Sequence, residues 1–313
     1  MGTTFTVKVV TSQLDAPRVD GLRKTIETTL AAVDAKMSHY RPDSEISRFN
    51  QFHATTPFAM SPDTVSVIGQ AVEISRLSGG AFDITVAPLV DAWGFGPAGP
   101  VTAVPSEVAI ARLRHRVGYT QLEIDRETST IRKHHPGITG DLSAIAKGHA
   151  VDRVATALVE VGMNNYLVEV GGEVRAGGHN ETGAVWRVAI ERPRVGTSTV
   201  QRVVELTNRA LATSGEYRNF YELDGQRVSH TIDPRSGRPI THQIGSVSVV
   251  AERCVQADGI ATALQVLGLA EGYPIAVEHG WAALFVVRNA DGTFREHPTP
   301  AFTALARHGT STP

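Results

Sequence analysis

Five short runs with alternating or β-branched character crowd the second half of the chain: "NYLVEV" (165–170), "VWRVAI" (185–190), "QRVVEL" (201–206), "SVSVVA" (246–251) and "AALFVV" (282–287). Only some of them are separated by a segment long enough to form a helix, and no internal repeat is visible. A strict βαβα order is therefore absent, and the pattern predicts an α+β fold with mixed or antiparallel sheets and flanking helices rather than a doubly wound parallel sheet. A further strand is expected at once, where Phe5 to Val10 alternates.

The helices announce themselves by period and by punctuation. Leu22, Ile26, Leu30, Val33 and Met37 recur at three- and four-residue spacing, predicting an amphipathic helix over 19–37 that ends before Pro42. Ser61 and Pro62 read as the cap and first residue of a second helix, stopped by Gly79-Gly80. A third follows Asp141, with Ala150, Val154, Ala157, Leu158 and Val161 on one face and Gly162 as terminator. A fourth runs from Ala257 to Leu267 and closes at Gly268, while the Gly- and Pro-rich stretch 93–105 is loop. Asp224-Gly225 between two strand-like halves is a strong hairpin signal. No linker divides the 313 residues, so one domain spanning 1–313 is expected.

Charge and cysteine content remove several function classes. Thirty Lys and Arg against 32 Asp and Glu, with no long basic run, offer no electrostatic footprint for nucleic acid. A single cysteine, Cys254, excludes an internal disulfide and a cysteine-based zinc site, and it is expected to be a small buried apolar residue. No stretch of about 18 apolar residues predicts a membrane span. No G-x-G-x-x-G, P-loop, G-x-S-x-G or H-E-x-x-H occurs.

Three constellations could carry chemistry. Asp258 and Thr262 are four apart, so a helix would stack a carboxylate and a hydroxyl on one face for a hard cation, or Asp258 would merely complement a helix start. Lys147 falls in a first helical turn, where the dipole disfavours a cation; a bound phosphate would resolve the conflict, or the lysine is simply solvated. His230 precedes Asp233-Pro234-Arg235-Ser236-Gly237, which is sound turn chemistry in its own right, yet the imidazole at a strand end could serve as acid, base or phosphate donor.

Taken in order, eight segments resemble the ApbE family of FAD:protein FMN transferases. They are "MGTTFTV", "MSHYRPDSEISRFN" (37–50), "GGAFDITVAPLVDAWGFG" (79–96), "DLSAIAKGHAVDR" (141–153), "VEVGGEV" (168–174), "ATSGEYRNF" (212–220), "HTIDPRSGRPI" (230–240) and "VQADGIATAL" (255–264), so the likeness covers about residues 1–268. The chain departs from the family's "HIIDPRTG" at Thr231 and Ser236 and from its "DLGGIAKG" at Ser143-Ala144.

The resemblance implies two intertwined lobes around a central FAD cleft. It implies a Mg²⁺-dependent enzyme that cleaves FAD, attaches FMN by a phosphoester to a Thr or Ser of an acceptor protein and releases AMP. Asp258, Thr262 and the Ala144 carbonyl would hold the metal. Met37, Ala81, Phe82, Asp83, Lys147, Glu169, Glu173 and Thr231 would line the FAD site, with Met37, Phe82 and Trp93 as the flavin's apolar wall and His230 at the reacting phosphate. The alternatives are an FAD pyrophosphatase giving FMN and AMP, and a non-catalytic flavin-binding protein. The acceptors implied are flavoprotein subunits of membrane redox complexes. The location implied is the bacterial periplasm or outer face of the inner membrane with a leader removed, or the cytoplasm if Met1 is the natural start.

Overall fold

A computed structural model describes residues 2–308 apart from 13–14, 98, 102, 195–198, 216–219 and 224–225. The first half runs β1 (Phe5–Val9), α1 (Ala16–Met37), α2 (Glu45–Gln51), β2 (Phe58–Ala59), α3 (Pro62–Leu77), α4 (Ala87–Ala92), α5 (Glu107–Arg114), β3 (Leu122–Asp125), β4 (Thr130–Lys133) and α6 (Ala146–Glu160). The strand-rich part follows: β5 (Tyr166–Val170), β6 (Glu173–Gly177), β7 (Trp186–Glu191), β8 (Val200–Leu206), β9 (Arg209–Gly215), β10 (Phe220–Leu223) and β11 (Gln226–Ser229). Then come β12 (Ile232–Asp233), β13 (Arg238–Pro239), β14 (Ile244–Ala251), α7 (Cys254–Glu278), β15 (Ala282–Arg288), β16 (Phe294–Pro298) and α8 (Pro300–His308).

The framework is a seven-stranded sheet in the order β1-β5-β6-β9-β14-β15-β16. Every adjacent pair in it is antiparallel, as the absence of βαβα alternation predicts. Strand side chains alternate between faces, and here both faces are covered. Val168, Val170, Ala210, Ala212, Val247, Val249 and Phe285 face the main core with α1, α3, α6 and α7. Val174, Leu211, Leu284 and Val286 face the opposite way, against Trp186, Ile190, Val204 and Leu206 of the β7–β8 ribbon and Phe302 of α8. Double coverage explains why "AALFVV" is continuously apolar.

The helix punctuation operates locally with three adjustments. The first helix starts at Ala16, earlier than its apolar period shows, because Asp15 caps it by accepting from the Arg18 N–H. Ser61 occupies the cap position of α3, but its hydroxyl donates to Glu45 Oε2 at 2.8 Å, and the same oxygen takes the Thr64 hydroxyl at 2.6 Å. Val161, expected on the buried face of α6, is exposed: it is the residue after the last helical one, where the stripe no longer points at the core. Gly162 then turns the chain at φ +80°.

Helix α7 is the core helix, and its apolar composition reflects burial against β9 and β14. It has the length and mean hydropathy of a membrane span, 1.4 over the relevant window, but it breaks at Gly268, whose φ of +73° is non-helical. A Cβ there would sit 2.8 Å from the His242 ring, so the break and the glycine go together. Cys254, at the start of α7, is a buried free thiol as expected.

Candidate active site

A cleft of about 1280 Å³ opens between the N-terminal end of α6, the middle of α7, the 81–95 segment and the face of the sheet that carries β7. Its chemistry begins where α6 and α7 meet. Gly148 lies so close to α7 that a Cβ would be 2.4 Å from the Cys254 carbonyl oxygen and 2.8 Å from Asp258 Cβ. That contact lets the Gly148 N–H donate to Asp258 Oδ2 at 2.9 Å. In a continuing helix this N–H would reach the carbonyl of residue 144. The Ala144 carbonyl is thereby relieved of its ordinary helical partner, and Ala144 is among the residues that line the cleft.

Asp258 is only 3% exposed, and burial raises its pKa against the opposing pull of Lys147 and the Gly148 N–H. Thr262 lies one turn further along the same face, also lining the cleft. Its hydroxyl pairs with Ser214 Oγ at 3.1 Å, which ties it to β9 rather than back to its own helix. A buried carboxylate, a hydroxyl and a backbone carbonyl released from helix duty are hard oxygen donors, and they fit Mg²⁺. Among the described residues no cluster of three or more His, Cys, Asp or Glu competes as a metal centre.

Lys147 sits in the first turn of α6, as the sequence indicates, and is compensated on the opposite side. Its Nζ donates to Glu173 Oε1 at 2.6 Å. Burial works against the ammonium, but Asp258 and Glu173 more than offset it and raise its pKa. Glu173 is 2% exposed, its pKa raised by burial and by Asp258, and its Oε2 has no hydrogen-bond partner. Glu169 lines the cleft with Oε1 accepting the Gly172 N–H at 2.7 Å.

The remaining positions divide. Ala81, Phe82 and Asp83 line the cleft, although Asp83 is engaged locally: Oδ1 takes the Thr85 N–H and hydroxyl, and Oδ2 takes the Tyr119 N–H at 2.7 Å. Met37 and Trp93 are placed elsewhere. Met37 is the last residue of α1 and packs in the main core at 2% exposure, outside the cleft lining. Trp93 packs with Leu89, Ile110 and Ile232 and donates its indole N–H to the Gly237 carbonyl at 2.9 Å. The apolar side chains of the cleft lining include Phe82, Ile84, Val86, Val90 and Phe95.

His230 and Thr231 line the cleft just beyond β11. The β10–β11 pairing closes at Leu223↔Gln226, flanking the predicted hairpin turn, whose residues 224–225 lie outside the described ones. The imidazole of His230 meets the Phe95 ring edge-on, with centroids 6.2 Å apart. The Asp233 turn behind it is held by the Gly237 N–H on the Asp233 carbonyl and by Arg235, which joins Asp233 to Glu271 of α7.

Two cleft residues, His39 and Tyr40, escaped the reading of the residues although they lie inside a resembling segment. His39 Nδ1 stands 3.1 Å from Asp141 Oδ1 and 3.3 Å from Ser143 Oγ, and Tyr40 stacks on His39 at 4.2 Å. Burial works against the charged ring, but hydrogen bonding to and the charge of Asp141 raise its pKa overall. The available signal was proximity in sequence to "MSHY" and "DLSA", which periodicity treats as a helix end and a loop.

The family model described as the ApbE family matches residues 1–285. The chain belongs to the ApbE family. An ApbE relative from Vibrio cholerae, named FAD:protein FMN transferase, is 43% identical over 302 residues, covering 96% of this chain and 89% of that protein. An Escherichia coli K12 protein of the same name is 36% identical, with 93% and 84% covered. The solved flavin transferase ApbE from Vibrio cholerae superposes with a TM-score of 0.88 at 41% identity, covering 97% of this chain and 96% of that one. The apo flavinyl transferase ApbE of Pseudomonas stutzeri gives 0.89 at 40% identity, with 100% and 95% covered. The α+β fold with its antiparallel sheet is thus the ApbE fold.

Proposed function

We propose that this ApbE protein is a Mg²⁺-dependent FAD:protein FMN transferase that joins FMN to a Thr or Ser hydroxyl of an acceptor protein and releases AMP. The observation that carries the reading is the α6–α7 contact, where Asp258 takes the Gly148 N–H in a cleft that Ala144, Lys147 and Thr262 also line. Asp258, Thr262 and the Ala144 carbonyl would hold the metal. When bound, the cation would neutralise charge on the diphosphate of FAD.

This chain's own residues supply the rest. The positive end of the α6 dipole and the Lys147 ammonium face the diphosphate. Phe82, Ile84, Val86 and Phe95 give the flavin an apolar surface. The acceptor hydroxyl oxygen attacks the FMN phosphorus while the bond from that phosphorus to the bridging oxygen breaks, and AMP leaves with the electron pair. His230 takes the hydroxyl proton, which a weak nucleophile must lose at neutral pH. Family habit supports two further parts of the reading: the acceptors are flavoprotein subunits of membrane redox complexes, and the protein works in the periplasm.

Mass spectrometry of a Thr-containing acceptor incubated with FAD, Mg²⁺ and the protein tests the reading. An added FMN mass on the acceptor with stoichiometric AMP is expected. Free FMN and AMP with an unmodified acceptor would make the protein a pyrophosphatase, and unconsumed FAD would reduce it to a flavin binder.

A further inference from the structure

Lys147 answers two carboxylates rather than one. Its ammonium donates to Glu173 Oε1 at 2.6 Å, and Asp258 is the other carboxylate it faces. Both carboxylates are almost wholly buried, at 2% and 3% exposure, and such groups need compensation wherever water is excluded. One ammonium serves both, and the shortfall is visible in Glu173 Oε2, which is buried in the cleft wall without a partner. The lysine itself is not locked in. Its side chain is 35% exposed, and its stem runs past Gly171, where a Cβ would lie 3.3 Å from Lys147 Cδ. The glycine lets the stem pass close to the backbone, where a side chain would crowd it.

We propose that Lys147 is the resident counter-cation of the Asp258–Glu173 pair, and that a divalent cation gains Asp258 fully only when the FAD diphosphate draws the ammonium away. FAD and metal then bind as a coupled pair through one lysine. The inference rests on the transferase reading for the identity of both ligands, and it assigns Glu173 a positioning role: it anchors the Lys147 head beside the pair until the diphosphate takes it. Coupling of this kind is reciprocal, and an effect of about tenfold lies within the usual range.

Binding of Mn²⁺, read by electron paramagnetic resonance without acceptor protein, tests it. Wild type should take up Mn²⁺ weakly alone and more tightly with FAD. Lys147→Met should bind Mn²⁺ alone about tenfold more tightly than wild type, whereas Lys24→Met, which removes an equal charge from the exposed face of α1, should match wild type. The double variant Lys147→Met/Glu173→Gln avoids leaving Glu173 charged and unpaired, so it guards against a folding failure, and it too should bind Mn²⁺ alone more tightly. Affinity for Mn²⁺ alone no greater than wild type in both folded Lys147 variants overturns the coupling. No Mn²⁺ uptake by wild type even with FAD overturns the metal reading itself, and the coupling with it.

Discussion

At the scale of single residues, Asp258 at the α6–α7 contact and His230 beyond β11 are separable by experiment. Asp258→Asn keeps the shape of the side chain and removes a buried charge, so thermal stability should hold or rise while metal affinity falls. Loss of even an outer partner of a metal site costs about 10–100-fold, so loss of the carboxylate itself should lower transfer by at least about 100-fold. Transfer assayed across a Mg²⁺ titration checks this, and wild-type activity at limiting Mg²⁺ would remove Asp258 from the metal site. His230→Ala should instead lower single-turnover transfer by about 10²–10⁴-fold with FAD affinity close to wild type, because proton removal acts in the transition state. A parallel fall in FAD affinity would make His230 a phosphate-binding group. These residues were visible in the sequence for different reasons. Asp258 and Thr262 share a spacing that any helix reader detects, whereas the partnership of Asp258 with Gly148, 110 positions away, depends on a helix crossing that no local pattern encodes.

At the scale of elements, the decisive feature is how closely α6 and α7 approach. Gly148→Ala would place a Cβ against the Cys254 carbonyl, a backbone atom that cannot swing aside. The two helices would have to separate, and overpacking of this kind costs about 1–3 kcal/mol. The separation would also stretch the Gly148 N–H bond to Asp258 and disturb the Ala144 carbonyl. The expected result is a lower urea midpoint together with a raised Mg²⁺ requirement; a stability loss without any change in the Mg²⁺ requirement would show that the site tolerates the shift. Element existence was largely legible. Alternation and capping residues announced β1, α1, α3, α6 and the first part of α7, and the α7 break at Gly268 followed from glycine alone. Met37 and Trp93 lie inside resembling segments but pack in apolar clusters outside the cleft lining, and apolar size in a sequence does not reveal whether a side chain faces the core or a cleft. Strand β9, which runs through "RALATSG", has little β-branched character, and its position at the centre of the sheet comes from pairing with β6 and β14.

At the scale of the whole molecule, stability should depend on pH through groups that composition cannot single out. Lys133 is 1% exposed and donates to the Phe49 and Ile138 carbonyls, and burial pushes its pKa down to about 8. His149 on α6 is 5% exposed and neither ring nitrogen has a hydrogen-bond partner, so no hydrogen bond offsets the loss of water around a charged ring. Burial lowers its pKa to about 4, with Arg153 and Arg253 adding to the effect and Asp63 and Asp152 opposing it. An unfolded histidine titrates near ~6.5, so between about pH 6.5 and pH 4 the unfolded chain binds a proton that the folded chain refuses. The contribution of His149 is therefore fully present above about pH 6.5 and is lost as the pH falls towards 4. At about 1.4 kcal/mol for each tenfold, roughly 2 kcal/mol should disappear between pH 7 and pH 5. His149→Gln retains a polar side chain of similar reach without a titrating proton. Urea unfolding at the two pH values should show a drop in wild type that exceeds the drop in His149→Gln by about that amount. Equal drops would mean that the ring finds water or a partner when it is charged, and that acid sensitivity arises elsewhere in the fold.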